Sequence, residues 1–190
     1  MRIIAGTKRG MKLLSPKTDV SRPIIDRVKE SLFSVLYKYD LPDGKIVADL
    51  FCGVGSLGLE ALSRGAKFVT FVEKDPEIIA TLETNIEKAG FAEESKVILA
   101  NAFTIDAPVN EQPYDLVFVD PPYADTTQIG DGSPLSELLA ILIERLTPDG
   151  TVVVRTSKRT QLLEQYGQLH VIERRQWGTT AVTILQKTNK

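Results

Sequence analysis

The sequence predicts an α/β fold: a mostly parallel β-sheet with helices on both faces, one antiparallel closing strand, and a small N-terminal hairpin and helix. Three observations lead there. Apolar runs of strand length (46–51, 68–73, 97–100, 114–120 and 151–155) alternate with helical patterns, and such alternation builds parallel sheets covered by helices. The first run leads into Gly53-Val54-Gly55-Ser56-Leu57-Gly58, a glycine-rich strand-to-helix turn. Two last runs, 169–174 and 181–186, are joined around Trp177-Gly178, which implies a hairpin and so an antiparallel strand.

The elements follow in order. Arg2–Gly6 and Gly10–Leu14 read as two short strands joined by the basic turn Thr7-Lys8-Arg9. A lone hairpin is marginal in water, so this one is expected to dock or to order on a partner. A loop is expected over 15–21. A helix over 25–37 then carries the stripe Val28, Leu32, Val35 and Leu36, with Phe33 beside it. The turn Leu41-Pro42-Asp43-Gly44 divides an appendage, 1–41, from a body, 42–190. Within the body, a helix over 56–64 stops at Gly65. A second, over 76–89, has Pro76 in its first turn and Gly90 after its last. A loop over 124–133 precedes a helix over 135–146, Pro148-Asp149-Gly150 makes a turn, and 159–166 is expected to be helical.

The 190-residue length favours one domain with a small appendage. With 43% hydrophobic and 25% charged residues the chain can form a core without metals or disulfides. Cys52 is its only cysteine, which excludes an intramolecular disulfide and speaks against a cysteine-based zinc site; no metal is expected. No apolar run reaches membrane-spanning length and no signal-peptide core opens the chain, so a cytoplasmic location is expected. The net charge of −2 conceals an asymmetry. Residues 1–38 hold nine basic and three acidic side chains, leaving that end at +6 and the remainder at −8. Such a basic end suits a polyanion, and equally well a merely solvated surface.

Asp49 and Asp120 end or follow apolar runs, so both belong at the carboxyl ends of strands, where open α/β sheets bind ligands. Glu73 ends another strand 20 residues after Gly53, where an acid accepts ribose hydroxyls. The same glycines suit NAD, but the acid at Asp49 and the lack of any hydride-transfer signature favour S-adenosylmethionine. That cofactor carries no phosphates, so the glycine turn serves its amino acid end. Cofactor contacts are expected from Asp49, Phe51, Gly53, Gly55, Glu73, Lys74, Asn101, Ala102 and Asp120. Asn101-Ala102 follows the third strand, where an adenine edge can be read. Phe103 either packs on that ring or belongs to the core.

Asp120-Pro121-Pro122-Tyr123 suggests the reacting group. The lone pair of an exocyclic base amine is delocalised into its ring, so the amine is a poor nucleophile. The Asp120 carboxylate and the Pro121 carbonyl can accept its two N–H groups and turn the lone pair toward a methyl donor. Proline fixes φ and holds that carbonyl still. Tyr123 can stack on the base.

With these residues the chain resembles class I, Rossmann-like methyltransferases that act on base amines. Arg2-Ile3-Ile4-Ala5-Gly6, Arg9-Gly10, Lys12-Leu13, Arg22-Pro23 and Asp26-Arg27-Val28-Lys29-Glu30-Ser31-Leu32-Phe33 narrow the resemblance to the RsmD-type family. It spans essentially the whole chain. The resemblance implies methylation of the N2 amine of a guanine, guanine 966, in 16S ribosomal RNA, within the 30S subunit or an assembly intermediate. It also implies SAM contacts around Asp49, Gly53, Gly55, Glu73, Asn101 and Asp120, with Asp120–Tyr123 facing the guanine. The chain departs from the family at Ile24-Ile25, where threonines are common, at Asn101, where Asp is common, and at Tyr123, where Phe is common.

On this reading Lys8, Arg9, Lys12, Arg22 and Arg27 hold RNA phosphates, which position RNA without reading its sequence. Arg27 and Lys29 have a local alternative, pairing with Asp26 or Glu30. Arg174-Arg175 with Trp177 offers a second RNA patch, although ordinary packing is favoured for Trp177. His170, the sole histidine, reads as structural, and the amine can lose its proton after transfer without a dedicated base. Two other readings remain open: a DNA adenine-N6 or cytosine-N4 methyltransferase, and a non-catalytic rRNA-binding assembly factor.

Overall fold

The computed structural model describes residues 1–15, 24–104 and 112–188. The chain enters its sheet after one helix, α1 (Asp26–Leu36), which a single 3-10 turn (Tyr37–Tyr39) extends. Strand and helix then alternate: β1 (Ile46–Leu50), α2 (Ser56–Ser63), β2 (Phe68–Glu73), α3 (Pro76–Ala89), β3 (Ser95–Leu99) and β4 (Tyr114–Val119). A 3-10 turn (Tyr123–Thr126) and α4 (Pro134–Ile143) lead to β5 (Leu146–Ser157), β6 (Gln165–Tyr166), β7 (Leu169–Trp177) and β8 (Thr180–Lys187). All eight strands form one sheet in the order β3-β2-β1-β4-β5-β8-β7-β6, parallel from β3 to β5. This is a Rossmann-like α/β architecture.

Local chemistry sets the helix ends. Asp75 caps α3 by accepting from the backbone N–H groups of Glu77 and Ile78 at 2.9 and 3.4 Å. Gly90 ends the helix in the left-handed conformation, at φ 71°. Ser133 caps α4 by accepting from Ser136 N–H at 3.2 Å. The central strands are buried on both faces, and alternate residues feed opposite cores. Leu116 and Phe118 of β4 meet α1, α2 and α3; Val117 and Val119 meet α4. Ile3, Leu13 and the Val28-Leu32-Val35-Leu36 stripe join the first of these cores, so the N-terminal segment packs against the sheet.

Several expectations are corrected. The two N-terminal strands reduce to one antiparallel bridge, Arg2 with Lys12: Ile3, Gly10 and Leu13 N–H bond across the hairpin, to the Met11, Ile3 and Met1 carbonyls, while Ile4, Ala5 and Leu14 N–H turn to the side chains of Glu60 in α2 and Asn85 in α3. The strand after Gly150 begins earlier, at Leu146; Pro148-Asp149-Gly150 forms an irregularity in the β4–β5 register rather than a separate turn. The closing region holds three antiparallel pairings, β5–β8, β8–β7 and β7–β6, where one antiparallel strand was expected. Residues 159–166 are not helical. Leu162 and Tyr166 are both buried, four residues apart, which mimics a helical stripe. Gly167, at φ 56°, instead reverses the chain and pairs Tyr166 with Leu169. The Tyr166 hydroxyl donates to the Ile129 carbonyl at 3.0 Å, which holds this arrangement.

Candidate active site at the carboxyl edge of the sheet

A cavity of about 440 Å³ opens at the carboxyl ends of β1, β2, β3 and β4. Parallel pairing brings these ends together: Leu50 is in register with Val72 and with Val119, and Glu73 with Leu99. From the β1 turn come Asp49, Phe51 and Gly53; from the end of β2, Glu73 and Lys74. Asn101 and Ala102 follow β3, and Asp120, Pro121, Pro122 and Tyr123 follow β4. Residues scattered over 75 positions of sequence thus line one space.

Gly55 is not among the lining residues. It stands before α2 at φ 86°, and a Cβ there would lie 2.5 Å from Leu82 Cδ1. Gly58 has a similar use, since a Cβ would meet the Phe71 ring at 2.3 Å. Of the three glycines only Gly53 faces the cavity; the other two let α2 pack closely on β2 and α3.

Asp49 caps α2 from a distance. No side chain next to the helix does so, and Asp49 Oδ2 accepts from Gly58 N–H at 2.7 Å, in the first turn. The side chain is nonetheless only 1% exposed. Burial pushes its pKa from 3.8 up to about 8, helped by the like charges of Asp120 and Glu73 and opposed by the Gly58 bond and by Arg155. A buried carboxylate in this state favours a cationic ligand group, which would replace the lost solvation.

Glu73 closes the β1 turn onto β2. Its carboxylate accepts from Gly53 N–H at 3.0 Å, Lys74 N–H at 2.8 Å and Asp75 N–H at 3.1 Å. Three of roughly four acceptor positions are therefore engaged by backbone, so a hydroxyl has one position left or must displace a backbone donor. Phe51 adopts φ 60°, costly for a non-glycine residue, while its ring lies 4.7 Å from that of Phe103 at 57°. Phe103 thus pairs with an aromatic wall of the cavity. Asn101 Oδ1 accepts from Phe103 N–H at 3.1 Å, which shapes the turn after β3.

Asp120 is paired. Arg155 Nε donates to its Oδ1, and both side chains are largely buried. Burial raises the Asp120 pKa, and the charge and hydrogen bond of Arg155 oppose that rise. No role was anticipated for Arg155. Its signal lay in register: β4 and β5 are parallel, Val119 partners Val154, and the next residues are an acid and a base. Tyr123 is tied as well, its hydroxyl lying 2.7 Å from Thr180 Oγ1. Nothing in the sequence points to Thr180.

The basic residues scatter. Arg9, Lys12 and Arg27 are exposed; Lys8 Nζ lies 5.6 Å from the centre of the Phe91 ring. Arg22 lies within 16–23, outside the described residues, as does most of the loop expected over 15–21. Lys29, counted with the basic end, is fully buried, and neither of its expected partners is the main one. Its Nζ donates to the Arg2 carbonyl at 2.6 Å and lies 3.3 Å from Glu60 Oε2. Asp26 pairs instead with Arg2 at 2.7 Å. In the second basic patch, Arg175 pairs with Glu173 at 2.7 Å, Arg174 donates to the Thr160 carbonyl at 2.7 Å, and Trp177 packs against the core. His170 sits in β7 opposite Gln165, not in the cavity.

Comparison with known proteins agrees with this architecture. Residues 1–186 match the model of a family described as conserved hypothetical protein 95. The YlbH protein of Bacillus subtilis is 33% identical over 98% of this chain and 99% of its own length. Ribosomal RNA small subunit methyltransferase D of Haemophilus influenzae is 36% identical, over 86% of this chain and 82% of its own. Among solved structures, the yhhF protein of Escherichia coli superimposes with a TM-score of 0.83 at 28% identity, covering 100% of this chain and 99% of that one.

Proposed function

From a chain that belongs to the family described as conserved hypothetical protein 95, the RsmD family, we propose an enzyme that uses S-adenosylmethionine to methylate ribosomal RNA, at the N2 amine of a guanine in 16S rRNA. Guanine 966 is the target that the family resemblance suggests, in the 30S subunit or an assembly intermediate. This reading goes with a cytoplasmic location. The observation that carries it is one cavity lined both by the Asp49–Glu73 edge and by Asp120-Pro121-Pro122-Tyr123. The small-subunit rRNA methyltransferase name of the Haemophilus relative supports the substrate class.

The residues fit this cofactor. Asp49, buried and poorly solvated, suits an ammonium group, and Glu73 suits a ribose hydroxyl at its remaining acceptor position. Phe51, Lys74, Asn101 and Ala102 line the same cavity and would enclose the rest. When bound, S-adenosylmethionine supplies a methyl carbon made electrophilic by its sulfonium. The chain's part is orientation. Asp120 and the Pro121 carbonyl accept the two N–H bonds of the amine, so its lone pair faces the methyl carbon. Tyr123 supports the base plane. The proton on the methylated nitrogen is then released to Asp120 or to water. Residues 1–41, with Lys8, Arg9, Lys12, Arg22 and Arg27, form the RNA-contacting part of this reading, and 42–190 the catalytic part. Phosphate contacts of that kind hold RNA in place without reading its sequence.

The test is methyl transfer from radiolabelled S-adenosylmethionine to 16S rRNA, assembled 30S subunits and DNA, followed by nucleoside analysis. N2-methylguanosine from rRNA or subunits is the expected product, and the preferred substrate identifies the assembly state. Methylated adenine or cytosine from DNA would assign the site to a DNA amine instead. Cofactor binding without transfer to any substrate would leave an rRNA-binding assembly factor.

A further inference from the structure

The Asp120-Pro121-Pro122-Tyr123 turn is held at both ends by the strands beside it. At one end is the Arg155–Asp120 ion pair, its side chains 13% and 16% exposed. At the other, Tyr123 Oη and Thr180 Oγ1 are 2.7 Å apart. Both braces come from one place in the sheet, since Arg155 is on β5 and Thr180 of β8 pairs with Ser157, two residues further along β5. Between the two ends, consecutive prolines restrict the backbone.

The first brace has electrostatic work to do. Asp120 after β4, Asp49 from β1, Glu73 from β2 and Asp75, the cap of α3, bring four carboxyl groups to one cavity, which Arg155 and Lys74 also line. The Cys52 thiol of the β1 turn is pushed well up by burial and stays neutral beside them. Burial favours the protonated form of Asp120, and Arg155 is the group that opposes it. A protonated Asp120 is a weaker acceptor for an amine N–H and no longer directs both lone pairs of the carboxylate.

We propose that Arg155 and Thr180 are positioning residues for the methyl-acceptor amine, Arg155 by holding the Asp120 carboxylate in direction and charge, Thr180 by fixing the plane of the Tyr123 ring. This rests on the reading that the turn receives that amine. Each acts through the residue it holds, Arg155 through Asp120 and Thr180 through Tyr123.

Two measurements test it. The first is the pH profile of single-turnover transfer with RNA and cofactor saturating. Arg155→Gln moves the acid limb to higher pH by about 1–3 units, the range over which a neighbouring cation acts on an Asp. Loss is largest at low pH and recovers as pH rises. Arg155→Lys restores the limb position while the rate stays below wild type, because an ammonium lacks the guanidinium fork. Thr180→Val lowers the rate about three- to tenfold with unchanged KM for the cofactor. Thr180→Ser restores it, and adding Tyr123→Phe to Thr180→Val costs nothing further. A wild-type acid limb in Arg155→Gln, or additive losses in the double variant, overturns the corresponding brace. The second measurement needs no activity: the carboxyl carbon of Asp120 is followed by 13C NMR, assigned by its loss in Asp120→Asn. Its titration midpoint rises in Arg155→Gln if the proposal holds and is unchanged if it fails. A wild-type protein that methylates nothing defeats the amine-site reading, yet the NMR midpoint still decides whether Arg155 controls Asp120.

Discussion

Glu60 and Asp120 are both shielded carboxylates beside an arginine, and the company each keeps is different. Glu60 is completely supplied. Its Oε1 accepts from Ala5 N–H at 3.0 Å and Arg64 Nε at 2.7 Å; its Oε2 accepts from Ile4 N–H at 2.7 Å and faces Lys29 Nζ at 3.3 Å. Four donors meet one carboxylate, and the result ties the N-terminal segment, α1 and α2 together. Burial lowers the Lys29 pKa, and the Glu60 charge resists that fall. At the carboxyl edge the balance is reversed: Asp49 has the Gly58 bond but also two acidic neighbours, and Asp120 is pushed up by burial, which Arg155 opposes. A carboxylate whose acceptor positions are filled by its own chain holds structure. One that is desolvated among like charges is higher in energy and gains from a cationic or amine ligand.

The sharpest way to break this contrast is Glu60→Ala. It takes away the counter-charge of Lys29, which keeps only neutral acceptors such as the Arg2 carbonyl, and strands the Ile4 and Ala5 N–H groups; a buried charge stripped of its partner costs about 3–5 kcal/mol. Denaturant unfolding should show that loss, with trypsin cutting faster at Lys8 and Arg9; a wild-type midpoint would mean the network is dispensable. Asp120→Asn should do the opposite. Transfer falls by roughly 10²–10³-fold, as when one positioned hydrogen-bonding group is removed, while the thermal midpoint moves by only a few degrees. Full activity would remove Asp120 from the amine contact.

Asp49→Asn sharpens the contrast through pH. The folded protein holds the Asp49 proton up to about pH 8, whereas the unfolded chain releases it near 3.8. The folded state therefore binds more protons between these values, and this group's contribution to stability declines as pH rises from about 4 to 8. Asparagine can still accept from Gly58, so Asp49→Asn should flatten that decline and raise the midpoint at pH 8 by roughly 3–10 °C. The same variant should lose the rise in S-adenosylmethionine affinity with pH that follows if the ligand's ammonium draws Asp49 into its ionised form. Calorimetry at pH 6, 7 and 8 reads both effects, and a pH-independent wild type would contradict them. The smallest effect belongs to the exposed basic residues. Lys8→Ala with Arg9→Ala should weaken RNA binding and reduce the slope of log affinity against log salt by about 1–2. An unchanged slope would leave that surface merely solvated.

Much of this is legible in the sequence. The helix from Pro76 to Ala89 is bounded by Asp75, Pro76 and Gly90, three residues whose backbone preferences act within one turn. The strands of the parallel sheet were visible as apolar runs because burial on both faces demands near-continuous hydrophobicity. The acids at their ends were visible because charge interrupts such runs. Where the local signal was ambiguous the reading failed, as at 159–166, where spacing suited a helix and Gly167 imposed a hairpin.

The sequence by itself determined the order of elements, the glycine turn and the acids Asp49, Glu73 and Asp120, since propensity, capping and hydrophobic period are properties of neighbouring residues. Only the tertiary structure decided the partners. It buried Lys29 against Glu60 across 31 positions, set Arg155 on Asp120 across 35 and Thr180 on Tyr123 across 57, and gave Gly55 and Gly58 to packing rather than to the cavity. These pairings depend on strand register and on how helices seat on the sheet. Both follow from the close-packing of the whole core, which no short stretch of sequence contains.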